Sequence, residues 1–280
     1  MIADEYILKL QDTDSFCTLY KATKKDNKIN YTIINYKKDE FDYNESEGTK
    51  AILKEGREIM KELNHPNIIK LIEVKEDSSS YNYICEFCND KTINKYLEET
   101  PDKQLSEEIV KFIMEQVVSA VKYLHDKKIV HRDIKLDNIY IKYNSEEDLL
   151  NKNILNSKII LGGFYVSTHL KKGNSLFDYV CTMNYISPEM KTNLDKYNEK
   201  IDIWSLGVCC FVLLYGNYPY NHYDYNEFNG YKNRMKYDLK KPLSKEAISF
   251  IDSMLEIDPN KRLSAFELSK HPFLSKNINI

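Results

Sequence analysis

Apolar and polar residues alternate in three short runs near the start of the chain, Ile7 to Leu10, Cys17 to Ala22 and Tyr31 to Tyr36, separated by the polar segments Gln11 to Ser15 and Lys24 to Lys28. A period of two predicts strands, so a small sheet opens the protein. From Lys50 to Leu63 the period lengthens: Ile52, Ile59 and Leu63 share a helical face, and Asn64-His65-Pro66-Asn67 stops the run. Ile68 to Val74 and Tyr81 to Phe87 return to strand character, and Cys88-Asn89-Asp90-Lys91 follows as a connector. Beyond it helices dominate. Behind Ser106 as N-cap, Val110, Ile113, Met114, Val117, Val121 and Leu124 form one apolar stripe reaching His125. Ile203 to Tyr215 is apolar nearly all round and predicts a buried helix, while Lys245 to Leu255 and Ala265 to Lys270 are amphipathic. Asn144 to Asn156 is polar and acidic and predicts a surface insertion. A strand-rich start joined to a helical remainder predicts an α+β protein in two lobes.

With 280 residues, of which 42% are hydrophobic and 30% charged, the chain is long enough for one two-lobed unit with a sizeable core. The net charge of -3 argues against a nucleic-acid partner, because phosphate binding needs clustered basic excess. The longest apolar stretch, Leu206 to Tyr215, is far short of the roughly 20 residues a bilayer helix needs, and the start MIADEYIL carries no secretory pattern; no membrane partner is expected. The six cysteines are expected to be reduced in a chain of this size, which places the protein in the cytoplasm. Cys85 and Cys88 form a lone CxxC with no second pair at ligand spacing, so no metal site is expected there.

Chemistry enters at His131-Arg132-Asp133-Ile134-Lys135-Leu136-Asp137-Asn138, followed by the apolar run Ile139-Tyr140-Ile141. This HRDxKxxN segment resembles the catalytic loop of protein kinases. Other kinase-like pieces follow in the family's order: Cys181-Thr182 before Ser187-Pro188-Glu189, Asp202-Ile203-Trp204-Ser205-Leu206-Gly207, Asp258-Pro259 with Arg262, and His271-Pro272-Phe273. The resemblance covers residues 5–274. Lys135 and Thr182 point to the serine/threonine branch, and the layout is similar to the calcium/calmodulin-dependent kinase group. The resemblance implies a bilobal kinase-like fold with an N-lobe over residues 1–86, a hinge over 87–92 and a C-lobe over 93–280. It implies that Asp133 accepts a substrate proton, Lys135 neutralises the transferring phosphoryl group and Asn138 holds magnesium. His131, Arg132, Thr182, Glu189, Asp202 and Arg262 take structural roles, with Glu189 and Arg262 as a buried ion pair. Cys85, Glu86, Phe87 and Cys88 form the hinge side of a purine slot.

The rest of the family's machinery is degenerate. Asp12, Asp14 and Cys17 stand where the phosphate-clamping glycines belong, and two carboxylates repel a polyanion. In Tyr31-Thr32-Ile33-Ile34, Ile34 takes the place of the phosphate-binding lysine. Lys37 is about 10 Å away on the opposite face, and Lys38 is on the right face but about 13 Å away. The helix glutamate that orients this lysine falls on Gly56, with Glu55 and Glu58 rotated by about 100° and 200°. Leu161-Gly162-Gly163 replaces the DFG motif, so Leu161 stands for the magnesium carboxylate.

Losing the lysine and the carboxylate together lowers phosphoryl transfer by about 10⁴-fold or more. These departures imply a pseudokinase that acts as a scaffold or allosteric regulator through a protein partner, an active kinase or its substrate, with no cofactor expected. The alternatives are an atypical serine/threonine kinase using ATP and magnesium through displaced ligands, and a nucleotide sensor without transfer. Asp133 is expected to face an open cleft, so that Asp133→Asn changes stability little. Tyr218, Tyr220, Tyr223, Tyr225, Phe228 and Tyr231 crowd one stretch and suggest an interface, since tyrosine is a frequent anchor there.

Overall fold

The computed structural model describes residues 2–13, 17–38, 47–170, 182–192, 197–220 and 242–275. A short helix α1 (Ile2–Glu5) leads into β1 (Tyr6–Thr13), β2 (Thr18–Lys24) and β3 (Asn30–Lys37), and after α2 (Glu47–Glu62) the chain adds β4 (Leu71–Glu76) and β5 (Ser80–Glu86). These strands pair antiparallel in the order β1-β2-β3-β5-β4. Ile68 and Ile69 lie outside β4, contrary to the predicted strand start: both are buried, and Ile68 bridges instead to Leu161 in the other lobe. One sheet face is closed by Tyr6, Ala22, Ile33 and Ile84, and the opposite face presents Leu19, Ile34 and Tyr36 toward the second lobe.

The helical lobe is built on α4 (Glu107–Asp126) and α7 (Lys200–Tyr215). The Ser106 side chain caps α4 by accepting from the Ile109 N–H, and the predicted stripe is wholly buried. In α7 nearly every residue is buried, and Gly216 ends it in the left-handed conformation. Around them pack α3 (Ile93–Glu98), α6 (Pro188–Thr192), α8 (Lys245–Met254), α9 (Ala265–Leu268) and α10 (Pro272–Ser275). Two small ribbons, β6 (Ile129–Val130) with β9 (Thr168–His169) and β7 (Ile139–Tyr143) with β8 (Ser157–Leu161), carry the segments facing the sheet. One apolar core runs continuously from Ile34 and Tyr36 through α2 into α4 and α7.

The insertion is not structureless. Ser145 caps a helix α5 (Glu146–Asn151) through the Asp148 N–H, and Ile154 anchors it in the core while Leu150 stays 82% exposed. Of the tyrosine-rich stretch, only Tyr218 and Tyr220 lie among the described residues, and Tyr220 does not fit the interface expectation. It is 3% exposed; its hydroxyl accepts from Trp204 Nε1 and donates to the Ile186 carbonyl. No helix among the described residues is long and apolar enough to cross a membrane.

Candidate functional site

The loop between β6 and β7 is held from below by Asp202 in the first turn of α7. One carboxylate oxygen accepts from the His131 N–H and from His125 Nε2, each at 2.9 Å, and the other accepts from the Arg132 N–H at 2.9 Å. Burial raises the Asp202 pKa, but the His125 hydrogen bond and the surrounding charges outweigh it and bring it below the usual carboxylate value. Arg132 sits at φ 69°, a left-handed conformation uncommon outside glycine, and its Nε donates to the Val166 carbonyl. His131 is fully buried against the Phe164 ring at 4.7 Å, and its Nε2 bonds the Gly162 carbonyl at 2.8 Å.

This clamp delivers Asp133 inward, contrary to the open-cleft expectation: the residue is only 5% exposed. Its Oδ1 accepts from the Thr182 hydroxyl at 2.6 Å. Its Oδ2 accepts from Asn138 Nδ2 at 2.8 Å and from the Tyr165 hydroxyl, and lies 3.0 Å from Lys135 Nζ. Lys135 also donates to Thr182 Oγ1 at 3.2 Å. Asp133, Lys135 and Asn138 are therefore brought together with Thr182, 49 positions further along the chain than Asp133, and Tyr165 joins them. Tyr165 carries no motif signal; it follows the Leu161-Gly162-Gly163 segment and is found only once the chain folds over.

The neighbouring elements carry the degenerate positions. Gly56 allows α2 to press on the 164–166 turn, since a Cβ there would lie 2.4 Å from the carbonyl oxygens of both Phe164 and Tyr165. The adjacent Glu55 turns to the 168–169 strand: it accepts from Thr168 Oγ1 and the His169 N–H, both at 2.9 Å, and these bonds bring its pKa down against burial. Lys38 turns away to Glu76 at 2.7 Å and the Asp77 carbonyl at 2.6 Å. Ile34 and Cys17 line a cavity of about 230 Å³ with Lys135, Asn138 and Tyr165. Leu161 is buried in β8, where its N–H donates to the Asn67 carbonyl. Asp14 lies outside the described residues, and Asp12 belongs to β1 opposite Leu19. Glu189 and Arg262 meet as implied: Arg262 NH1 and NH2 donate to the two carboxylate oxygens at 2.6 and 2.9 Å, with the guanidinium fully buried.

At the hinge the purine-slot residues divide. Phe87 and Cys88 line a second cavity of about 350 Å³, whereas Cys85 and Glu86 do not. The Cys85 thiol is buried and donates to the Tyr83 carbonyl, and Glu86 is engaged by Lys142 and by the backbone of Lys70. Burial pushes the Cys88 thiol up to about 12 and Cys85 higher still, so both stay protonated. Leu19 and Tyr140 line both cavities. Tyr140 can lie there because Gly162 has no side chain: a Cβ would be 2.9 Å from its ring.

The inner cavity lacks the family's magnesium carboxylate and phosphate lysine at their usual positions. Asn138, the one retained metal-ligand type, spends its amide N–H groups on the Asp133 carbonyl and carboxylate, and packs against Gly163. Leu161 offers no carboxylate and Ile34 no ammonium at the positions the family uses, while Lys135 and Asp137 line the same cavity.

The family model of the protein kinase domain matches residues 14–274. A CaM kinase-like vesicle-associated protein of Danio rerio is 28% identical over 99% of this chain and 62% of its own length. Serine/threonine-protein kinase 33 of Mus musculus is 30% identical over 94% of the chain and 53% of that protein, and the probable serine/threonine-protein kinase MARK-A of Dictyostelium discoideum 31% over 84% and 21%. The chain thus spans less than two thirds of the length of these relatives. Its bilobal fold, the loop clamped by Asp202 and the match across nearly its whole length place this chain in the protein kinase family.

Proposed function

We propose that this member of the protein kinase family is a pseudokinase that acts through a protein partner, as a scaffold or allosteric regulator, rather than by phosphoryl transfer. The observation that carries this reading is the state of Asp133. A general base must offer a free lone pair to the substrate hydroxyl, and here the carboxylate accepts from Thr182, Asn138 and Tyr165 and is paired with Lys135. The Tyr165 hydroxyl occupies one of the acceptor sites that an incoming hydroxyl would use. Similarity to serine/threonine kinases, among them a protein named CaM kinase-like, supports the branch of the fold and leaves the chemistry to the site. The five described cysteines are buried and form no disulfide among the described residues, which suits a reducing, cytoplasmic setting.

The test is transfer of radiolabel from ATP to protein substrates with magnesium or manganese, comparing the wild type with Asp133→Asn and Lys135→Met. Equal, background incorporation in all three is expected. Transfer by the wild type that both variants lose while remaining folded would overturn the reading and favour an atypical kinase.

A further inference from the structure

Helix α9 is more apolar than its packing on α4 requires. Ala265 and Leu268 turn into the core, and Ser264 with Glu267 closes a capping box at its start, so the fold asks nothing of position 266 beyond a helix former. Phe266 stands there with its ring 51% exposed. Two ammonium groups lie over it: Lys270, four residues on, at 3.8 Å from the ring centroid, and Lys122 of α4 at 5.7 Å. The next residue of α4, Tyr123, repeats the arrangement with Lys127 at 5.4 Å. Lys128 follows, exposed, so the end of α4 and the outer side of α9 share one basic, aromatic surface. Its carboxylates are already engaged: Asp126 holds Lys122 at 2.6 Å, and Glu267 is folded back on Ser264. None of the ion pairs among the described residues involves Lys127, Lys128 or Lys270, in a chain whose net charge is -3.

We propose that this surface docks an acidic segment of a protein partner, with a large apolar side chain laid on Phe266 and carboxylates on Lys270, Lys127 and Lys128. The inference rests on the reading that the protein acts through a protein partner, and it names the chemistry of that partner. Covering the ring removes apolar surface from water and strips water from the ammonium groups above it, and a cation–π contact strengthens when it is desolvated. The carboxylates supply the three lysines with charge-assisted hydrogen bonds. An anionic membrane is the poorer match, because one phenyl ring on a helix of 4 residues inserts too little apolar surface to hold there.

The test is selection from a displayed library of random peptides on the whole chain, followed by fluorescence anisotropy of the enriched peptides on the wild type, Phe266→Ser, Lys270→Glu and Lys270→Arg. The enriched peptides are expected to carry aspartate or glutamate beside a large apolar residue. Phe266→Ser and Lys270→Glu should each weaken them by about tenfold or more, as for an anchor at the centre of an interface, while Lys270→Arg binds as the wild type does. Affinity should fall with added salt. The melting temperature of each variant should be unchanged, since neither side chain is buried, and this separates lost binding from lost folding. No enriched peptide, peptides of neutral or basic composition, or equal affinity for wild type, Phe266→Ser and Lys270→Glu would each overturn the proposal, as would binding to phosphatidylserine vesicles that depends on Phe266 where no peptide binds. Radiolabel transfer is a separate readout: a chain that transfers phosphate overturns the pseudokinase reading, whereas failed docking overturns this surface alone.

Discussion

At the scale of single residues, retained kinase positions serve the fold. Asp133 is expected to be costly to change: Asp133→Asn removes the charge beside Lys135 and puts an amide among the donors Thr182, Asn138 and Tyr165. Leaving such groups buried and unpaired costs roughly 3 kcal/mol. Denaturant titration checks it; an unchanged midpoint would mean that the carboxylate is solvated. Arg262→Ala leaves Glu189 without its partner and strips hydrogen bonds from the carbonyls of Glu256 and Lys200. Removing one member of a buried pair typically costs about 3–5 kcal/mol, a large share of a domain's stability, so this variant is expected to unfold or aggregate on expression. Normal yield and an unchanged melting temperature would refute that.

At the scale of elements, the fit of α2 against the 164–166 turn decides what repair of the kinase pattern can do. Gly56→Glu restores a family residue in sequence, yet its Cβ alone would collide with two backbone carbonyls. Overpacking of this kind costs about 1–3 kcal/mol, and the helix must lift off the turn. The variant is expected to be less stable and no better at binding magnesium ATP, as thermal melts with and without nucleotide will report. Helices with a single period and a cap were legible in the sequence, α4 behind Ser106 above all, because local spacing fixes which face is buried. The loop motif and the Glu189 and Arg262 pair were legible too, since both follow family spacing. Tyr165, the inward turn of Tyr220 and the loss of Cys85 and Glu86 from the slot were not, because each depends on which chain segment lies across from it. The helix in the insertion was missed for a different reason: its capping serine is plain in sequence, but so short a polar helix shows no apolar period.

For the whole molecule, magnesium is expected to add little to any stabilisation by ATP, since ligand stabilisation follows affinity and Leu161 stands where the family places its magnesium carboxylate. A melting shift larger with magnesium than with EDTA would contradict this. Acid sensitivity follows from the histidines. Burial lowers the pKa of His131, His65 and His271 below the ordinary imidazole value of 6.5, with Asp202 and Asp133 opposing it only in part at His131. The unfolded chain then takes up protons that the folded one refuses, so stability falls as pH drops through about 6.5. The lowered Asp202 adds a second loss only below the ordinary carboxylate value of 3.8. Melting temperature measured from about pH 8 to 5 should be level at first and then decline, and a flat profile would show these imidazoles to be solvated. The Asp202 clamp also makes two amides into reporters. His131 and Arg132 donate their N–H groups to a carboxylate about 70 residues away, and the left-handed Arg132 costs about 1–3 kcal/mol unless held there. Their hydrogen exchange therefore times the docking of α7 rather than any local opening, and should slow or quicken together with the amides of that helix.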